Sequence, residues 1–152
     1  MLLIVDGWRF MLAFTPEKTE FSIYRLDFNA DLLDSIKDVV EMEDVGAGAF
    51  WVIGAVSKAK FSFYDQSSKK YLEVSRDEPL EIASCIGNVA EMEGRKVVHA
   101  HVVFSNRKGE AFGGHLLEGT KIFSAELMLL KFKDLKLRRS FDPVTGLNLL
   151  SP

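Results

Sequence analysis

The chain of 152 residues lacks the cysteine pairs whose disulfide bonds stabilise small extracellular domains. It contains a single cysteine, Cys85, and so cannot form an internal disulfide bond. It also has only four prolines and no low-complexity tract. With 47% hydrophobic and 27% charged residues, the composition is that of a globular domain large enough to bury its own core. We therefore expect one domain in a reducing, cytoplasmic compartment.

The sequence also lacks a strong excess of charge and a long apolar run. Its net charge of −3 argues against a surface built mainly to bind phosphates. The most apolar stretch, residues 1–14, is too short to cross a bilayer and is interrupted by Asp6 and Arg9. It has neither the basic leader nor the clear cleavage site of a secretory signal. We expect no membrane association and interpret residues 1–17 as an apolar extension, either an added strand or an arm that covers an oligomer.

One early segment has the pattern of an amphipathic helix. It starts after a predicted N-cap at Asn29 and ends at a glycine-rich terminator, residues 46–48, and its apolar residues recur at helical spacing. The later segments have the apolar patterns and turn signals of strands: 49–56, 58–64, 71–74, 80–86, 97–104, 111–117 and 122–130. One helix followed by many strands predicts an α+β fold with a largely antiparallel or mixed sheet. We assign residues 18–152 to this single domain.

The three histidines of the chain fall in two neighbouring predicted strands. His99 and His101 are two residues apart, so their side chains point to the same face. The sequence at residues 106–109 suits a three-residue loop with glycine in its last position. Counting outward from that loop, His101 lies opposite His115 and the three rings share one face. A bulge at Gly113–Gly114 would alter this register.

Three imidazoles on one face form a suitable ligand set for a divalent metal ion. Zinc fits best, and iron, nickel and copper also accept such ligands. Three protein ligands leave one coordination position open, as in catalytic zinc sites. The alternative is a polar strand face or a subunit contact. We predict a metal site formed by His99, His101 and His115.

A metal enzyme also needs an ionisable group beside the ion. Glu81 is a candidate general acid or base, and the alternative for it is a buried ion pair. Glu118 is a weaker candidate because it is better explained as a turn residue, and Arg25 is a candidate for holding an anionic substrate. Cys85 lies in an apolar strand and is interpreted as an inert core thiol.

Basic side chains are concentrated only in residues 131–139. Such a run can contact phosphates, and repeated in an oligomer it would offer several copies of the same contact. A solvated edge strand protected by lysines gives the same pattern, and we favour that interpretation.

Several of these motifs together resemble the PPC domain, the plants and prokaryotes conserved domain. His99-Ala100-His101, followed by Gly113-Gly114-His115-Leu116, is similar to its core signature. The stretch Pro79–Asn88 is similar to a strand that precedes this signature in the family. The resemblance extends over residues 20–130, which is most of the chain.

The resemblance implies a compact α+β subunit that assembles as a homotrimer. Stand-alone prokaryotic members are commonly labelled DNA-binding, largely because plant relatives join this domain to AT-hooks, and this chain has no AT-hook. The fold is also similar to that of acetolactate decarboxylase and of a three-histidine ester hydrolase, where the histidines hold zinc. We therefore expect a metal-binding homotrimer with a regulatory role associated with nucleic acid. The alternative is a metal-dependent lyase or hydrolase that acts on a small carbonyl or ester substrate.

Overall fold

The computed structural model describes residues 2–5 and 9–152, with side chains from Leu12 onward. Within these residues the protein has one helix, α1 (Leu32–Met42), and a set of strands. The strands are β1 (Leu2–Val5), β2 (Arg9–Leu12), β3 (Thr19–Leu26), β4 (Gly48–Asp65), β5 (Lys70–Arg76), β6 (Leu80–Met92), β7 (Arg95–Ser105), β8 (Ala111–Leu116), β9 (Lys121–Phe132), β10 (Arg138–Asp142) and β11 (Leu147–Ser151). In this part of the chain, β3–β11 form one sheet whose pairings are antiparallel except between β6 and β10. The α+β prediction is confirmed.

The predicted N-terminal extension lies partly outside the described residues, because Met1 and residues 6–8 are not described. The described backbone pairs β1 with β2 in an antiparallel hairpin. Among the described pairings, this hairpin is separate from the main sheet. A domain boundary at residue 17 stays a prediction. No helix in the described ranges is long and apolar enough to span a bilayer.

Helix α1 begins after Asp31, not after Asn29, so the predicted N-cap is wrong. The Asp31 carboxylate accepts hydrogen bonds from the backbone N–H groups of Leu33 and Asp34 at 3.1 and 3.2 Å. Asn29 has a left-handed φ of 61° and lies in the turn before the helix. The helix also ends before the predicted glycine terminator, at Met42.

Strand β4 is one continuous strand of 18 residues, although the sequence predicted two. Its register with β6 shifts between Val52 and Gly54, which marks a bulge. Gly54 has a φ of 140°, and a Cβ there would lie 2.1 Å from the carbonyl oxygen of Ser124. The first half of β4 therefore pairs with β6 and β9, while its second half pairs with β5 and β8.

The strands β4, β6, β7 and β8 pair in a closed ring, since each is hydrogen-bonded to the next. One side of this ring and the helix form the apolar core, whose fully buried side chains include Leu32, Ile36, Phe50, Val102 and Phe104. Side chains alternate between the two faces of a strand. Because Ala100 and Val102 point into the core, His99 and His101 point to the opposite face.

This opposite face of the sheet carries a largely exposed apolar row across four strands. The strand pairings place Ile23, Met128, Trp51 and Ile86 in one cross-strand row, which we call the apolar row. Ile23, Trp51 and Ile86 are 63%, 39% and 55% exposed. The next position in the same row is His101, opposite Ile86. The apolar row therefore leads directly to the histidines.

Candidate metal centre

The turn between β7 and β8 has the predicted three-residue loop. The Asn106 side-chain oxygen accepts hydrogen bonds from the backbone N–H groups of Lys108 and Glu110 at 2.9 and 3.1 Å. Gly109 has a left-handed φ of 77°, as the last position of this loop requires. The N–H of Asn106 donates to the carbonyl of Glu110 and so closes the loop. This turn sets the register of the hairpin.

From the turn, the β7–β8 pairing continues without a register shift and places His101 opposite His115. The two preceding glycines do not form a bulge. Instead, their lack of a side chain lets β8 lie close to β7 and β4. A Cβ at Gly113 would lie 1.9 Å from a carbonyl oxygen of β7, and a Cβ at Gly114 would lie 2.3 Å from the carbonyl oxygen of Ser62 on β4. The predicted register is confirmed.

The three imidazole rings meet on one face of the sheet. The ring centroids of His99 lie 5.2 Å from those of both His101 and His115, and the latter two are 5.7 Å apart. One ring nitrogen from each histidine lies within 4.8 Å of the other two. His99 and His115 are half-buried, and His101 is exposed. The structure therefore brings together all three predicted ligands.

The electrostatics of the site favour uncharged imidazoles. The pKa of His99 is lowered to about 4, first by burial and then by the positive charge of Arg139 and by the neighbouring histidines. The pKa of His115 is also lowered, first by burial and then by His101 and Arg139. A neutral imidazole has a free lone pair, which is the form that coordinates a metal ion.

Arg139 on β10 is a part of the site that sequence reasoning missed. Its guanidinium donates hydrogen bonds to the Asn88 side-chain oxygen at 2.7 Å and to the Asn148 carbonyl at 2.8 Å. One of its nitrogens also lies 3.2 Å from Nδ1 of His99. The sequence offered only the basic run around Arg139, with nothing to tell this side chain from its neighbours.

Three buried side-chain atoms among the described residues have no hydrogen-bond partner: Ser62 Oγ, His115 Nδ1 and Arg139 Nε. Two of them belong to the site, and Ser62 lies opposite His115 in the β4–β8 pairing. Buried polar atoms are nearly always paired in folded proteins, so their grouping here indicates a place where a bound species would supply the missing partners.

A cavity of about 320 Å³ adjoins the histidines. Its wall includes His99, His115, Arg139 and Tyr71, and the ring of Tyr71 lies 5.3 Å from that of His115. The remaining wall is largely apolar and comes from β6, β7 and the β10–β11 hairpin. The site therefore offers ring nitrogens, one cationic group and room for a small molecule.

Glu81 is not brought to the histidines within one subunit. It lies opposite Ser105 on β7, four residues beyond His101, which corresponds to about 13 Å along a strand. Glu81 is exposed and lines a separate groove with Arg107 and Phe123. A role for Glu81 as general acid or base at this site stays a prediction, and it would require Glu81 of another subunit.

The other candidates are not part of the histidine cluster or of the cavity beside it. Glu118 forms an ion pair with Lys37, in agreement with its interpretation as a turn residue. Arg25 lies on β3 opposite Glu126, away from the histidines in the order of the strands. Cys85 is buried, and burial raises the pKa of its thiol to about 12.

The basic run is not one edge strand, so that interpretation is wrong. Lys131 lies in β9 between β3 and β4, and its ammonium group donates to the backbone carbonyl of Glu43. Lys133 forms an ion pair with Glu20, and Arg139 turns towards the histidines. The run therefore divides between two strands and the loop that joins them.

Comparison with known proteins decides the family. The sequence profile of the Plants and Prokaryotes Conserved domain, abbreviated PCC or PPC, matches residues 15–133. The chain belongs to this family. The match ends before β10, so the PPC profile contains the three histidines but not Arg139.

Three solved structures are similar to this PPC protein. The metal-containing protein from Archaeoglobus fulgidus has 34% identity and a TM-score of 0.88, covering 93% of this chain and 100% of that one. A PPC protein from Pyrococcus horikoshii has 30% identity and a TM-score of 0.82, covering 98% of each chain. A protein from Ralstonia eutropha with a provisional DNA-binding assignment has 25% identity and a TM-score of 0.75, covering 86% and 90%.

A curated relative is much longer than this chain. The bifunctional protein GlmU from a Synechococcus strain is 29% identical over 155 residues, which is 95% of this chain and 23% of GlmU. The PPC chain thus spans about a fifth of the length of the curated relatives that it matches. The similarity therefore concerns one segment of GlmU.

Proposed function

We propose that this PPC protein binds one divalent metal ion per subunit, most readily zinc, through His99, His101 and His115. The observation that carries the proposal is the grouping of one ring nitrogen from each histidine within 4.8 Å. Zinc accepts neutral imidazole nitrogens, and three such ligands are a common zinc set. The lowered pKa of His99 and of His115 keeps both rings available for coordination at neutral pH.

Two further observations support a metal ion at this site. His115 Nδ1 is buried without a partner, and a coordinated ion would satisfy such a nitrogen. The similar protein from Archaeoglobus fulgidus is described as metal-containing. Both observations agree with the proposed ligand set, whose three histidines lie within the residues that match the family profile.

A three-histidine site leaves at least one coordination position for a ligand from solution. A divalent ion held there would act as a Lewis acid towards an oxygen of that ligand. The chain's own groups would shape the space for that ligand: part of the cavity wall is apolar, and Arg139 and Tyr71 border the space that a small molecule would fill. This arrangement favours binding of a small ligand, and regulation by that ligand is the role that we propose.

We also propose that the protein forms a homotrimer in which the apolar row is covered by another subunit. An exposed, contiguous apolar surface on a strand face is typical of an interface. The row ends at the exposed His101, so assembly would also bring a neighbouring subunit close to the metal site. The number of copies rests on the family resemblance.

The metal proposal is tested with protein that carries no affinity tag and has been treated with a chelator. Titration with zinc should saturate at one ion per chain for the wild type. His99→Ala, His101→Ala and His115→Ala should each weaken zinc binding by about tenfold or more. Lys108→Ala, on the exposed hairpin turn, is the matched control and should bind as the wild type does. Zinc binding of equal affinity in all variants would contradict the proposed metal site.

The assembly proposal is tested by sedimentation. The wild type should sediment as a trimer, and Ile86→Glu should shift it to the monomer because a buried, unpaired carboxylate is costly. Val144→Glu, at an exposed position on the β10–β11 turn, should leave the trimer intact. A monomeric wild type at micromolar concentration would contradict this part of the account.

Association with DNA is a further proposal, and the Ralstonia eutropha relative supports it. Mobility-shift assays with duplex DNA at two salt concentrations test it. Phosphate contacts release counterions, so genuine binding should weaken steeply as salt rises. No shift at low salt would contradict it.

A metal-dependent lyase or hydrolase reaction is the second candidate function. The cavity beside the histidines favours it, since a small substrate would lie within reach of the metal. Turnover of small carbonyl and ester compounds by the zinc-loaded wild type, lost in His101→Ala, would establish it. Turnover that persists in His101→Ala would exclude this site as its source.

A further inference from the structure

Arg139 is a half-buried cation without a counterion. Its hydrogen-bond partners, Asn88, Asn148 and His99, are all uncharged groups. None of the ion pairs formed by the described residues includes Arg139, and its Nε has no partner. A buried charge needs an opposite charge or full hydrogen bonding to offset its desolvation. The guanidinium therefore lacks one partner, and an anion would supply it.

The contact between Arg139 and His99 cannot persist when His99 binds a metal ion. A guanidinium has donors only, so Nδ1 of His99 must be the acceptor and must carry no proton. A metal ion at Nδ1 would take the lone pair that now accepts this hydrogen bond. A metal ion at Nε2 would leave the single proton of neutral imidazole on Nδ1. The Nδ1–H group would then face an N–H group of Arg139, and neither could accept a hydrogen bond. In both cases the hydrogen bond is lost.

Metal binding therefore frees a donor of Arg139 beside the ion. The freed nitrogen lies at the wall of the cavity of about 320 Å³ that also contains His99 and His115. This volume has room for a small organic molecule, and Leu147 and Leu149 give the cavity apolar wall surface. The cavity thus combines a cation, a metal position and apolar contacts.

Resting on the metal site proposed above, we propose that this cavity binds a small carboxylate. One carboxylate oxygen would bind the metal ion, and the same carboxylate would accept hydrogen bonds from Arg139. The short carbon chain of the ligand would contact the leucines of the β10–β11 hairpin. A carboxylate suits the site because it offers two acceptor oxygens to a guanidinium and a hard ligand atom to the ion.

The proposal makes the metal and the anion mutually dependent. Each should strengthen the binding of the other by the same factor, because coupling between two sites is reciprocal. Arg139 lies on β10, beyond the segment that matches the PPC profile. The adjacent Arg138 is exposed and provides a matched control on the same strand.

The test measures zinc affinity by competition with a chelator, in tag-free protein, with and without acetate. Sodium chloride keeps the ionic strength equal, and acetamide serves as the uncharged analogue. Acetate should tighten zinc binding by about tenfold in the wild type, and acetamide should not. Arg139→Gln should bind zinc without acetate at least as tightly as the wild type does, because the competing hydrogen bond to His99 is weakened. It should show no gain with acetate.

Two variants complete the test. Arg138→Gln should keep the full gain with acetate, and Arg139→Lys, which retains the charge, should keep part of it. An equal gain in Arg139→Gln and wild type, or a wild type that binds zinc but gains nothing from acetate, would overturn this inference alone. A wild type that binds no zinc would overturn both this inference and the metal site on which it rests.

Discussion

His101 lies directly opposite His115, and their ring centroids are 5.7 Å apart on one face of the β7–β8 hairpin. This pairing is set by a turn that starts five residues beyond His101, at Asn106. A slip of one residue would move His115 to the other face, so the geometry of a surface loop controls the composition of the metal site. The two strands are held in this register by the turn and by the glycines that precede His115.

Replacing Asn106 with alanine should destabilise the protein by about 1–2 kcal/mol. The variant loses a side-chain acceptor for two backbone N–H groups of the turn. Urea unfolding with and without zinc measures the change. Lys108→Ala in the same turn should change stability by no more than about 0.5 kcal/mol. Equal effects of the two substitutions would show that the Asn106 side chain does not hold the turn.

Gly114→Ala should both destabilise the fold and weaken zinc binding. The added Cβ would lie 2.3 Å from the Ser62 carbonyl, so β8 must move away from β4 and carry His115 with it. Overpacking of this kind costs about 1–3 kcal/mol. Gly46→Ala is the control, because its Cβ would meet only the flexible end of Glu91 at 3.1 Å. Wild-type zinc affinity in Gly114→Ala would contradict the role given to this glycine.

The sequence predicted the parts of the site that depend on local rules. Strand periodicity placed His99 and His101 on one face, and turn chemistry fixed the position of His115. Arg139 could not be found in this way, since its contact with His99 joins segments 40 residues apart and no periodicity encodes it. The N-cap was misplaced for a related reason, because both Asn29 and Asp31 are good capping residues and only the backbone conformation selects between them.

The metal-free protein should lose stability as the pH falls from 6.5 towards 4. The pKa of His99 is about 4 in the folded protein and near 6.5 in the unfolded chain. The unfolded chain therefore binds an extra proton in this window, so the contribution of His99 is fully present above pH 6.5 and is lost as the pH decreases.

This pH dependence is isolated by comparing the wild type with His99→Gln at one protein concentration. Urea unfolding at pH 7 and pH 5 should show that the wild type loses more stability than the variant. Other acidic groups titrate in both proteins and cancel in the difference. A pH dependence that is identical in the two proteins would mean that His99 is not buried as described.

Cys85 should be unreactive in the folded protein. It is buried, and its pKa of about 12 leaves almost no thiolate at neutral pH. A chromogenic disulfide reagent should label it only after urea is added, with one thiol released per chain. Rapid labelling of the folded protein would contradict the interpretation of Cys85 as a core residue.

The proposed function depends most on whether one ion binds to the three histidines, and elemental analysis measures this directly. The measurement is the molar ratio of metal to chain in tag-free protein purified in buffers with trace zinc and no chelator. We predict a ratio near one for the wild type and for Arg138→Gln, and near zero for a variant with His99, His101 and His115 all replaced by alanine. A wild type without metal, or an equal ratio in the triple variant when both proteins are folded, would contradict the account.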